Sequence, residues 1–318
     1  MNLSQCLRCA PAFAGVLLCA LLVGCSTPQV MRLQEAGQAP GLPSRAQLES
    51  VPFFAQKEYE CGPAALAMVM SATGVAVTPD ALVDQVYLPA RKGSLQVEML
   101  AATRQRGLIA YPLKPALKDL LQEVAAGHPV LVFQNLSLPI YPVWHYAVVI
   151  GYDLERNSIT LHSGETERLE MSLFTFERTW ARGNDWAMLA LAPNTLPATA
   201  DATTYARSVA ALEGSHPQAA RQAYAGALAR WPEDANLWFG LGNSAYVLHD
   251  LQAAVTAYQA ATQFQPAYAD AWNNLAQVQW EIGDTAAAKS AIARAVGLGG
   301  NRLSQYLELQ AQLEAVTP

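Results

Sequence analysis

The chain is poor in cysteine, and the few it has are unevenly spread. Of five cysteines in 318 residues, Cys6, Cys9, Cys19 and Cys25 lie in the first 25, and Cys61 stands alone beyond them. A disulfide framework within the body of the protein is therefore excluded. Basic residues are also scarce: 20 Lys and Arg face 26 Asp and Glu, a net charge of −6. That argues against a nucleic-acid surface, which needs a basic patch. No glycine-rich phosphate loop is visible. The histidines are dispersed and no second thiol accompanies Cys61, so no zinc set can be assembled. No metal and no cofactor is expected. What is abundant is apolar sequence, 52% of residues against 14% charged, enough for a sizeable core.

The N-terminus reads as a targeting segment. Arg8 precedes the apolar run "APAFAGVLLCALLVG", which is short for a spanning helix. It ends in "LVGCSTP", which resembles the bacterial lipoprotein signal. The resemblance implies removal of residues 1–24 and lipidation of Cys25. Ser26 follows Cys25 where an Asp would favour retention at the inner membrane, so the expected location is the cell envelope, on the outer membrane facing the periplasm. Cys61 is then the sole free thiol of an exported protein, where an unpaired thiol is a liability unless it is used.

Residues 25–50 read as a tether, 51–192 as an α+β domain, 193–202 as a linker and 203–318 as a helical repeat region. In the α+β part, "GPAALAMVMSATG" is predicted as a helix with Pro63 in its first turn. A second helix is capped by Thr78, and a third, "SLQVEMLAATRQRG", by Ser94. "HPVLVFQNL" is a strand. Trp144–Tyr152 and Ser158–His162 pair as a hairpin around the turn at residues 155–157. Asp153 reads as a turn residue.

Beyond residue 203 the pairs Trp238/Trp272, Leu241/Leu275, Ala254/Ala288, Ala261/Ala295 and Pro232/Pro266 all recur at 34 residues. This period resembles the tetratricopeptide repeat, with Gly242 and Ala276 at its small-residue position. The first unit is degenerate, with Thr204 and Arg207 where Trp and Leu are expected. "LSQYLELQAQLEA" serves as the terminal cap. Such a resemblance implies a concave surface for a protein partner.

Cys61 begins the apolar helix, where the partial positive charge of a helix N-terminus favours a thiolate. A nucleophilic cysteine needs a base. Of the later histidines, His145 opens the apolar strand "YAVVIGY", while His128 sits at a helix-to-strand turn and His216 and His249 lie in the repeats. Gln56, five residues before Cys61, could supply a side-chain donor to an oxyanion. The segments "VPFFAQKEYECGPAALAMVM" and "HYAVVIGYD" together resemble the C39 and C39-like cysteine peptidases. The resemblance spans about residues 51–192 and implies a papain-like fold, with Cys61 as nucleophile, His145 as base and Gln56 as oxyanion donor. The family carries Asp-Pro one strand after the histidine, and that Asp orients the imidazole. Here "LHSG" occupies the stretch, which offers Ser163 or His162 instead.

Three functions fit this reading. The first is a lipid-anchored peptidase acting on a peptide or protein substrate through an acyl-enzyme. The second is a binding scaffold that keeps the fold without the chemistry. The third is an amidase acting on cell-wall peptides.

Overall fold

The computed structural model describes residues 27–35 and 41–315. The apolar segment, Cys6, Cys9, Cys19 and the expected lipidation residue Cys25 lie outside the described residues.

Helix α1 (Pro28–Glu35) leads into strand β1 (Arg45–Gln47), then helices α2 (Cys61–Ser71) and α3 (Asp80–Val86). A two-stranded hairpin follows, β2 (Tyr87–Leu88) and β3 (Gly93–Ser94), then α4 (Gln96–Arg104), β4 (Ile109–Pro112), α5 (Leu117–Ala125) and β5 (Val130–Asn135). Strands β6 (Trp144–Asp153), β7 (Ser158–Ser163) and β8 (Thr166–Ser172), helix α6 (Leu173–Ala181) and strand β9 (Ala187–Leu191) complete the α+β part. The main sheet is antiparallel in the order β4-β9-β5-β6-β7-β8, with β1 added beside the far half of β6.

Strand alternation explains how the sheet is covered on both faces. Tyr146, Val148 and Ile150 of β6 face the α2 side, joining Leu131, Met188 and Ala190 in one core. Ala147 and Val149 face the other side with Val132, under Leu120 and Leu121 of α5 and Phe176 and Trp180 of α6. Gly62 to Met70 of α2 are all buried, so this helix is a central element with no solvent face.

Several boundaries differ from the sequence reading. Residues 28–35 and 45–47 are not a tether. Glu177, buried in α6, accepts the N–H groups of Gln29 and Val30, both at 2.8 Å, and so caps α1 from across the fold. Ser94 caps nothing: it pairs with Tyr87 in the small hairpin, and Leu95 stands at the N-cap of α4 without a side-chain bond. Thr78 lies one residue before the N-cap Pro79 of α3, and its hydroxyl accepts from Ala81 N–H at 3.4 Å.

The helical part runs α7 (Ala202–Ala210), α8 (Pro217–Leu228), α9 (Ala235–Val247), α10 (Leu251–Phe264), α11 (Ala269–Glu281), α12 (Thr285–Leu298) and α13 (Leu303–Ala315). The 34-residue period has a physical counterpart. Trp238 donates its indole N–H to Pro232 O at 2.7 Å, and Trp272 repeats the bond to Pro266 O at 2.9 Å. Gly242 is required by close packing, because a Cβ there would come within 2.5 Å of the Tyr258 ring.

The segment expected as a linker is fixed in place. Glu123, fully buried on α5, accepts from Ala198 N–H at 3.1 Å, Thr199 N–H at 2.7 Å and His128 Nδ1 at 2.7 Å. Burial alone would push this carboxyl up, but bonds from His128 and Thr199 outweigh it and hold it below its ordinary value. Tyr205 and Val209 of α7 then continue the core of the sheet, with the Tyr205 and Tyr111 rings 6.5 Å apart. The first repeat is thus welded to β4 rather than hung from a flexible joint.

Candidate active site

The segment before α2 sets the position of Cys61. Tyr59 adopts φ +64°, a conformation few non-glycine residues take, and Glu60 N–H closes a turn on Lys57 O at 3.0 Å. The chain thereby turns into the helix with Cys61 as its first residue. Gly62 is dictated by contact: a Cβ there would lie 2.2 Å from the Ser94 hydroxyl. Only glycine lets the β2–β3 hairpin close against the start of α2.

A cleft of about 810 Å³ opens at this point, and Gln56, Cys61, Ser94, Trp144, His145 and Tyr146 are among its lining residues. Cys61 and His145, distant in sequence, therefore share one cavity. Cys61 is partly exposed, and backbone N–H groups of Tyr146, Gly62 and Cys61 itself favour its anion. Burial is the larger effect and pushes the thiol up. His145 is 7% exposed, and burial pulls its imidazole down to about 4. Loss of hydration thus opposes the helix end: it favours thiol over thiolate at Cys61 and neutral imidazole over the cation at His145.

His145 Nε2 lies 2.9 Å from the Ser163 hydroxyl. That bond occupies one ring nitrogen and leaves Nδ1 for the cleft. His162, the other residue at the position of the expected Asp, points elsewhere. Its Nε2 meets Val51 O at 3.1 Å and its Nδ1 accepts from Arg168 N–H at 3.3 Å, with the Phe53 ring 5.3 Å away. Asp153 stays at its turn, accepting from Arg156 N–H at 3.0 Å.

Gln56 is held beside Ser163, since its backbone N–H donates to Gly164 O at 3.2 Å. Its side-chain Oε1 is buried without a partner. Two contributors were not read from sequence. The Ser94 hydroxyl is buried and unpartnered at the cleft wall. Phe133 and Trp144 stack at 5.1 Å, with Phe133 also against Tyr146 at 4.7 Å, and form an aromatic wall. The alternation of β5 and β6 carried a signal for that wall: the register pairs Phe133 with Tyr146 directly. Among the described residues no group of three or more His, Cys, Asp or Glu could hold a metal ion.

The repeats have a smaller cavity of about 260 Å³, lined by Tyr258, Asn273, Asn274 and Gln277 among others. A hydrogen-bonded ladder crosses this face. Tyr224 and Asn243 donate to Glu213 at 2.6 and 3.0 Å, and Tyr258 and Asn274 donate to Asn243 at 2.9 and 3.2 Å.

Comparison with known proteins divides the chain in the same way. Residues 48–187 match the Peptidase_C39 like family, and residues 205–269 and 243–302 match the tetratricopeptide repeat. No protein of curated function matches. Among solved structures, a C39-like peptidase from Bacillus anthracis is 18% identical, with 47% of this chain and 98% of that one covered at a TM-score of 0.40. A double-glycine-motif protease from an AMS/PCAT transporter, solved with its leader peptide, is 19% identical over 46% and 93% at a TM-score of 0.35. The TPR2B domain of yeast Sti1 is 19% identical over 35% and 95% at a TM-score of 0.34. The chain joins a C39-like peptidase-family domain to a tetratricopeptide-repeat domain.

Proposed function

We propose that this protein is a lipid-anchored cysteine peptidase of the cell envelope. The observation that carries the reading is one cleft shared by Cys61, at a helix start, and His145, whose Nε2 is engaged by Ser163.

Burial, which favours the neutral thiol and the neutral imidazole, sets the order of events. As Cys61 Sγ bonds to the peptide carbonyl carbon, its proton passes to Nδ1 of His145. The carbonyl oxygen becomes an oxyanion, held by the Cys61 backbone N–H and the Gln56 amide. The imidazolium then gives its proton to the leaving amine nitrogen as the C–N bond breaks, and a thioester remains. His145 next takes a proton from water, whose oxygen attacks the thioester, and Sγ leaves and regains the proton. Ser163 holds the ring through this cycle but brings no charge to stabilise the imidazolium.

The repeats would recruit a protein partner or the substrate protein along the Asn243–Asn274 face. Lipidation at Cys25 would tether the domain to the outer membrane, with the cleft in the periplasm.

Hydrolysis of a mixed peptide library, followed by mass spectrometry, tests the reading. Wild type should release new termini that neither Cys61→Ser nor His145→Ala releases. Cleavage by neither wild type nor variants, with partner binding intact, would favour the scaffold.

A further inference from the structure

The loop between β5 and β6 exposes an unusual run of apolar side chains. Leu136, Leu138, Ile140, Tyr141, Val143 and Trp144 are 44, 62, 75, 76, 53 and 50% exposed. No Asp, Glu, Lys or Arg occurs between Pro129 and Tyr152. Val143 and Trp144 reach the cleft, while Leu138, Ile140 and Tyr141 project beyond it. Exposed apolar surface of this density marks an interaction site.

The backbone of the loop narrows what that site can be. Leu136 N–H donates to Val143 O at 2.9 Å and Tyr141 N–H to Leu138 O at 3.0 Å. The Asn135 side-chain oxygen accepts from Ser137 N–H at 3.0 Å and Val143 N–H at 2.9 Å. Pro139 and Pro142 have no N–H to satisfy. The register places Trp144 N–H on the side of β6 away from β5, and no such partner meets the N–H groups of Leu138 and Ile140 among the described residues. A loop that ties up four of its backbone donors internally and shows apolar side chains suits the boundary of a bilayer, where water still reaches the donors left over. Tyr141 and Trp144 supply the amphipathic rings that settle at a membrane interface.

The course of the chain points the same way. Helix α6 runs from Leu173, whose N–H bonds Asn157 O at one end of the sheet, to Arg182, whose Nε bonds Asn135 O at the root of the loop. Helix α1 lies antiparallel to it. Gln34 bonds Asn157, and Gln29 bonds Glu177 midway along α6. The N-terminal end of α1 is therefore directed toward the loop's end of the sheet, and the apolar segment of residues 11–24 and Cys25 precede it. Among the described residues no helix is long and apolar enough to cross a membrane, so contact by this part of the chain would be interfacial.

From these observations we infer that the loop of residues 136–144 inserts into the bilayer surface as a second contact and holds the cleft at the membrane. The inference rests on the proposed membrane attachment and is independent of the proposed catalysis. One consequence is that the substrate is a polypeptide segment close to the membrane.

The test uses the full chain reconstituted with phosphatidylcholine and phosphatidylglycerol vesicles, plain or brominated on the acyl chains. Ile140→Trp puts a reporter at the loop tip, and Leu307→Trp puts one on the exposed face of α13. The emission added by the Ile140→Trp indole should fall by about half or more on brominated vesicles, since interfacial inserts reach roughly 5–10 Å into the headgroup and acyl boundary. The Leu307→Trp signal should not fall. Equal emission from the Ile140→Trp indole on plain and brominated vesicles overturns the inference, whether the loop then meets water or protein. Should Ile140→Trp fail to fold, Leu138→Trp serves the same purpose. Failure of wild type to float with vesicles overturns the attachment and the loop's role together, whereas flotation without quenching overturns the loop alone. Cys61→Ser should leave the quenching unchanged, which separates this result from any failure of the peptidase reading.

Discussion

His145 Nε2 and the Ser163 hydroxyl lie 2.9 Å apart, at the position where the C39-like pattern leads one to expect a carboxylate. A hydroxyl fixes the ring but supplies no negative charge. Ser163→Ala should lower kcat about tenfold by freeing the ring, with KM little changed. Ser163→Asp should raise the imidazole pKa and increase the rate of Cys61 alkylation by iodoacetamide at neutral pH. Titration of His145 by NMR and timed alkylation check both outcomes.

Burial of the pair has consequences for pH. With His145 held at about 4 by burial, kcat/KM should keep its plateau well below neutrality and fall only near that value. A proton in flight during acylation predicts a normal solvent isotope effect on that step, which a preformed thiolate would not give. Stability follows the same residue. The folded pKa lies below the ordinary 6.5, so the unfolded chain takes up the proton first as pH falls. The contribution is fully present above about 6.5 and is lost on the way down to about 4, at a cost of roughly 3 kcal/mol. Denaturant melts of wild type and His145→Gln across that range measure the difference.

Gln56 is tested by its two neighbouring chemistries. Gln56→Ala should cost about 10²-fold in kcat, the scale for removing one oxyanion donor, and should leave stability nearly unchanged. Gln56→Glu should be as damaging, because a carboxylate repels the oxyanion. Single-turnover acylation rates give the answer without interference from product release.

Much of this was legible in the sequence because local rules and the tertiary fold agree. The helix start at Cys61, the strand from Trp144 and the 34-residue repeat each rest on short-range pattern. What the sequence hid depends on distant partners. Residues 28–35 look like a tether because their polar residues lack an evident period, and they become a packed helix only when Glu177, far along the chain, caps them. Residues 193–202 look like a linker until Glu123 binds their backbone. The burial that pushes the Cys61 thiol up is hidden for a similar reason. A helix N-terminus is visible in a sequence, but the walls that dehydrate the sulfur are not. Strand β8, with no buried residue, left almost no apolar signal.

Glu123 offers a test of the weld between the two domains. Glu123→Ala leaves the N–H groups of Ala198 and Thr199 and the His128 ring without their acceptor, and should destabilise the fold by about 3–5 kcal/mol. Limited proteolysis should then cut within residues 193–202, where wild type resists.

The central claim is that Cys61 is acylated by substrate with His145 as the base. The most direct measurement is the mass of the full chain, acid-quenched within its first turnovers on a peptide it cleaves, followed by mapping of the modified residue. The predicted result is a thioester on Cys61 that accumulates in wild type and is absent in His145→Ala at the same time point. Peptide cleavage that persists in Cys61→Ser, or that proceeds in wild type with no acyl group ever found on Cys61, would contradict it.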